Sequence, residues 1–345
     1  MRIIFAGTPQ AAVPTLTALI ASPHDVALVV TRPPARSGRG RAMRPSAVAE
    51  CARGAGLAVL ETASLKGEEA AGAIGAVGAD LGVVVAYGGL VPPDVLAMPA
   101  HGWVNLHFSD LPRWRGAAPV QWAVLSGDPT TASCVFALEE GLDTGPVYSR
   151  EPFTIGHETS GELLDRMAAA GGAQVLACVD SLAAGTARAT AQSDRGATRA
   201  RRLTAADGYV SFDEDALATD RRVRAVTPNP GAWTLGPGGG RIKLGPVTAA
   251  PDLKSTWLTA LPPDACLEII GEDGDYLQLH DGGWLHRRHT SLPHELTDPV
   301  SAARSQIGRS YVWGGRGMAG LDCSALAQWS YRRAGCNIPR DSDLQ

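Results

Sequence analysis

The chain has 345 residues, 45% of them hydrophobic, and a formal charge of −4 at pH 7. That length accommodates two or three domains with a substantial core, which excludes bulk disorder. The acidic balance excludes global attraction to nucleic acid, so any RNA contact has to come from local basic patches.

In chain order, the first half alternates strand and helix signals. Ile3 to Ala6 is a short apolar run closed by Gly7-Thr8-Pro9, and Val13, Leu16 and Leu19-Ile20 follow on one side of a helical pattern. Val26 to Val30 and Leu57 to Leu60 read as the next strands. Leu81 to Ala86 is apolar throughout, which suits a strand buried on both faces, and Val104 to His107 is another strand. Strands separated by helices predict an α/β fold with a doubly wound, mostly parallel sheet, whose ligand site lies at the carboxyl ends of its strands. Ser160 to Ala184 reads as a long helix. The Gln, Ser, Gly, Thr and Arg of 189–203 read as an exposed linker. Tyr209 to Phe212, Ala232 to Leu235 and Arg241 to Leu244 predict the start of a small barrel. Leu267 to Ile270, Tyr276 to Leu279 and Trp284-Leu285 predict a further β-module, and Pro299 to Gln345 a helix, a Gly-rich turn and a helix.

The six cysteines, Cys51, Cys134, Cys178, Cys266, Cys323 and Cys336, include no C-x-x-C pair. Dilute thiols in a large chain predict a reducing compartment and no structural zinc. The apolar run at Met1–Gly7 is too short for a secretory signal, and no stretch approaches a membrane span. The expectation is a cytoplasmic protein, monomeric, with no metal and no membrane or DNA partner.

Three segments carry chemistry. Gly7-Thr8-Pro9 lacks the later glycines of a dinucleotide fingerprint and reads as a tight turn. Arg32 to Arg44, RPPARSGRGRAMR, is a basic Pro/Gly loop, suited to gripping phosphates or simply to solvation. Asn105-Leu106-His107 ends a strand, with the amide and imidazole on one face by the period of two. A second loop, Gly141-Leu142-Asp143-Thr144-Gly145, supplies a carboxylate. An amide for an oxyanion, an imidazole to steady charge and a carboxylate to take a proton can move an acyl group onto an amine. By spacing alone, a satisfied core histidine serves equally well.

The residues Phe5 to Pro9, Gly38-Arg39-Gly40-Arg41, Val84 to Gly88, Asn105 to Pro119, Gly141 to Gly145 and Asp207 to Trp233 closely resemble the methionyl-tRNA formyltransferase family, over roughly 1–248. The resemblance implies formyl transfer from 10-formyltetrahydrofolate to the amine of initiator methionyl-tRNA. It implies a catalytic trio of Asn105, His107 and Asp143. Val85, Ala86, Tyr87, Gly88, Leu90, Ser109, Leu111 and Pro112 would border the folate, and Arg36, Arg39 and Arg41 the tRNA. Asp110 departs from the family's usual leucine and is expected to add negative charge beside the site. A formyltransferase of small amines is the alternative.

Tyr311 to Gly315 and Leu321 to Leu326 resemble NlpC-type cysteine peptidases, with Cys323 opening a helix as a nucleophile would. No histidine follows Cys323, so the resemblance implies a truncated peptidase with a vestigial nucleophile. The expected organisation is a catalytic domain at 1–188, the linker at 189–203, a partial tRNA-binding barrel at 204–250, a β-module at 264–294 and the peptidase-like fragment at 295–345.

Overall fold

The computed structural model describes residues 1–37, 42–212, 215–235, 240–244, 247–248, 257–259, 269–279, 283–287, 316–317 and 320–321. Cys323, Arg39 and Arg41 lie outside the described residues, as does nearly all of 288–345. The chain divides into two compact units, one formed by 1–156 with 160–202, the other by 157–159 with 203–345.

The first unit is built on seven strands: β1 (Arg2–Gly7), β2 (Asp25–Thr31), β3 (Val59–Glu61), β4 (Leu81–Val85), β5 (Trp103–His107), β6 (Thr130–Ala137) and β7 (Val147–Thr154). Their order in the sheet is β7-β6-β5-β4-β1-β2-β3. The pairs from β3 through β5 are parallel, and β6 and β7 are added antiparallel. The unit's longer helices are α1 (Val13–Ile20), α2 (Ala47–Gly54), α3 (Glu68–Gly75), α4 (Pro119–Ser126) and α5 (Ser160–Ala183).

Continuous burial along β1 and β4 explains their unbroken apolar sequence, since a central parallel strand is covered on both faces. One face packs Ile4, Ala6, Val30, Val84 and Trp103. Gly82 of β4 lies opposite Trp103 of β5, and a Cβ on Gly82 would overlap the indole ring. The ring is pinned where it lies by a 2.9 Å hydrogen bond from its Nε1 to Val95 O. On the other face, α5 approaches closely through glycines. A Cβ on Gly171 would stand 2.5 Å from Leu106, and one on Gly172 would stand 3.0 Å from Pro14 O of α1.

The segment 189–203 is mostly exposed, as its composition predicts, and it is also fastened to the first unit. Thr190 exchanges two 2.8 Å backbone hydrogen bonds with Val147. Arg199–Ala200 pairs in parallel with Arg115–Gly116, and the division between units falls after Arg202. The side chains of Gln192 and Thr198 bond to groups of the first unit, while most of the segment's other residues are exposed.

In the second unit, a helix at Ala216–Ala225 starts at Asp215, whose side chain accepts from Ala218 N. Trp233–Leu235 and Arg241–Lys243 form the expected pair of strands. Tyr209 to Phe212 is not a strand; only a single bridge joins Tyr209 to Trp233, their rings 5.1 Å apart. The expected break between barrel and β-module is also corrected. Val247–Thr248 and Trp257–Thr259 belong to one five-stranded sheet with Ile269–Asp273, Tyr276–Leu279 and Trp284–His286, joined where Thr248 pairs with Trp284.

Candidate active site

Three strand ends assemble the site. At β1, a Cβ on Gly7 would meet Ala12 Cβ at 2.9 Å and Val85 O at 3.0 Å, so the chain turns tightly into Thr8. Thr8 Oγ1 donates to Tyr87 O at 2.8 Å, fastening this turn to the loop after β4. That loop adopts left-handed backbone at Ala86 (φ 48°) and Gly88 (φ 79°). The third end is His107 of β5.

Trp103, Asn105 and His107 occupy alternate positions of β5 and share a face. The face therefore runs from core indole to amide to imidazole toward the strand's end. His107 is 6% exposed. Its Nε2 donates to Trp114 O at 3.0 Å, because a carbonyl can only accept. Nδ1 is thereby left facing Asp143, with Oδ2 at 3.8 Å. That Oδ2 accepts from Gly116 N at 2.7 Å, which fixes the carboxylate. Asp143 itself adopts φ 54° in the turn between β6 and β7. The structure thus brings imidazole and carboxylate together from positions 107 and 143. Asn105 is half-buried, and its Oδ1 is buried without a hydrogen-bond partner.

The residues expected to border folate divide in two. Ala86, Gly88 and Leu90 are exposed and Pro112 is half-buried. Val85, Tyr87, Ser109 and Leu111 are buried. The Val85 side chain is core, and Leu111 packs with Cys134 and Phe136. Ser109 Oγ donates to Arg113 O at 2.7 Å, holding the loop from within. Burial raises the Tyr87 phenol above its ordinary range, with Arg32 opposing the shift. Leu90 is 72% exposed and Leu142, beside Asp143, 51% exposed.

Asp110 does not act as an uncompensated charge. Arg150 NH1 lies 2.6 Å from its Oδ1, while Arg150 NH2 donates to Leu111 O. Arg36 is exposed on a short ribbon of Ala35–Ser37 against Ala42–Arg44, so the basic segment is flanked by strands rather than being loop throughout. Among the described residues no group of three His, Cys, Asp or Glu side chains stands together, and no helix is long and apolar enough to cross a membrane. A cleft of about 510 Å³ lies between α5 and β7, lined by Tyr148, Gln174 and Arg188 among others, and none of the trio borders it.

A family model described as formyl transferase matches residues 1–179, and its C-terminal domain model matches 202–279. A methionyl-tRNA formyltransferase of Acidothermus cellulolyticus is 51% identical over 252 residues, covering 72% of this chain and 77% of the relative. The chain belongs to the methionyl-tRNA formyltransferase family. The match to that family's C-terminal domain runs past the expected end near 248 and takes in the strands at 269–279. The solved methionyl-tRNA formyltransferase from Clostridium thermocellum shares the fold, with a TM-score of 0.52 at 15% identity, over 72% of this chain and 93% of that one. So does WlaRD, a sugar 3N-formyl transferase, with a TM-score of 0.55 at 13% identity, over 82% and 96%. A model described as NlpC/P60 family matches 308–345.

Sequence reasoning did not single out Gln192, Trp114 or Gly116, which hold His107 and Asp143. The one available signal was local: glycines at 116 and 145 beside the motif residues.

Proposed function

We propose that this chain transfers the formyl group of 10-formyltetrahydrofolate to the α-amino group of initiator methionyl-tRNA, with Asn105, His107 and Asp143 as its catalytic residues. The observation carrying this reading is the approach of His107 Nδ1, at the end of the strand that also holds Asn105 with its unpartnered Oδ1, to Asp143 Oδ2 at 3.8 Å. An unpaired buried acceptor is costly unless a ligand completes it; the N–H of the attacking amine can donate to Oδ1, while Nδ2 donates to the formyl oxygen.

The neutral amine attacks the formyl carbon and a new C–N bond forms. Negative charge on the oxygen is met by the Asn105 amide and by His107 in its protonated form. Asp143 takes a proton from the amine. The bond from the formyl carbon to the folate nitrogen then breaks, and that nitrogen leaves with the proton that Asp143 passes on to it. Ala86, Gly88, Leu90 and Pro112 border the folate, with Val85, Tyr87, Ser109 and Leu111 shaping that border from behind. The exposed Leu90 and Leu142 offer unspent apolar surface to its rings. Arg36, with Arg39 and Arg41, contacts tRNA phosphates. The protein works as a cytoplasmic monomer without metal, DNA or membrane partners.

The test is a turnover assay with 10-formyltetrahydrofolate and methionyl-tRNA, beside Asp143→Asn and beside an amino-sugar nucleotide as acceptor. Formylated methionyl-tRNA from wild type and its loss in the variant are expected. Formylation of the sugar alone would replace the acceptor assignment.

A further inference from the structure

We infer that Gln192, in the segment whose composition reads as a linker, positions Asp143 for catalysis; the inference rests on the formyl-transfer reading. Gln192 Oε1 accepts from Arg115 Nε and NH2 at 3.1 and 2.9 Å. Its Nε2 donates to Asp143 O at 2.9 Å and to Gly145 O at 2.7 Å. A guanidinium only donates and a carbonyl only accepts, so the partners fix which end of the amide points where. An amide alone meets both demands. The isosteric Glu would turn lone pairs toward two carbonyls.

The loop it holds needs holding. Asp143 sits in left-handed backbone, which is strained for a non-glycine residue and persists where the surroundings enforce it. From inside, Ala137 N donates to Pro146 O at 2.9 Å, and a Cβ on Gly145 would overlap Ala137 O. From outside, Gln192 grips the carbonyls of Asp143 and Gly145. Its other partner, Arg115, precedes Gly116, whose N–H holds the Asp143 carboxylate. Gln192, Arg115, Gly116 and Asp143 thus close a ring that fixes the main chain and the carboxylate of one residue together. The same segment serves the imidazole. Thr198 Oγ1 accepts from Trp114 N at 2.9 Å, and Trp114 O accepts from His107. Gln192 touches no reacting atom and is a positioning residue.

The experiment compares Gln192→Glu and Gln192→Ala with wild type, each also in an Asp143→Asn background. Loss of positioning predicts a kcat lower by about 10- to 100-fold with both KM values held within about twofold. With Asp143 already disabled, the further loss should shrink to under about twofold, because the two residues act as one unit. Amide hydrogen exchange of the peptide 138–146 should accelerate about tenfold or more in both Gln192 variants, with the rest of the first unit unchanged. Equal losses in both backgrounds, a raised KM at constant kcat, or unchanged exchange in this peptide would overturn the proposal. An inert wild type would overturn the formyl-transfer reading instead, while exchange still decides the role of Gln192 in holding the loop.

Discussion

At the scale of single residues, Asn105 and the buried cysteines carry the sharpest consequences. Asn105→Ala removes an oxyanion donor, and kcat should fall by about 10²–10³. It also removes a buried polar atom that lacks a partner, so the variant should melt no lower than wild type, as differential scanning calorimetry would register. Burial pushes the Cys134 thiol up to about 11 and Cys178 to about 12, from 9.0. The folded state therefore favours the neutral thiols. Their contribution is complete below about pH 9 and is lost as the pH rises from there through 11 to 12. Urea unfolding of Cys134→Ala/Cys178→Ala should show a shallower decline of stability than wild type across that window. Asn105 and His107 were legible in the sequence because a strand's period of two and the loop behind it are local signals. Gln192 was not. Its partners stand 49 and 77 positions away, and a glutamine among Ser, Thr and Gly looks like solvent-facing chain.

Among the elements, the buried strands β1, β2 and β4 declared themselves by their apolar runs, and α5 by its length. The reversed strands β6 and β7 did not. β7, at the sheet's edge, is mostly exposed or half-buried and carries Ser, Arg, Glu and Pro, so it lacks the apolar pattern of a core strand. The break assumed near residue 250 failed for a related reason. A two-residue strand such as Val247–Thr248 has no periodicity to read, yet it links its sheet. Close helix packing yields a prediction at this scale. Gly172 of α5 faces the main chain of α1, which cannot yield as a side-chain tip can. Gly172→Val should destabilise by about 1–3 kcal/mol through overpacking, and Gly172→Ala by less, in urea titrations.

For the molecule as a whole, an acidic balance coexists with a polyanionic substrate in the proposed reaction. Attraction then depends on local arginines. The KM for tRNA should climb steeply with added potassium chloride, while that for 10-formyltetrahydrofolate should change little. Arg36→Ala should reduce the slope of log KM against log salt by about one, if kcat holds steady across the series. The α/β architecture and the site's place at the strand ends were legible because topology follows from alternating strands and helices. The extent of the second unit was not, because its strands are short and separated widely along the chain. The void at Gly82 and the indole of Trp103 are two halves of one shape, a lock cut for a single key. Neither position is free to drift in evolution by itself: enlarging one demands that the other shrink in step, and the face bearing Asn105 and His107 inherits that constraint from below.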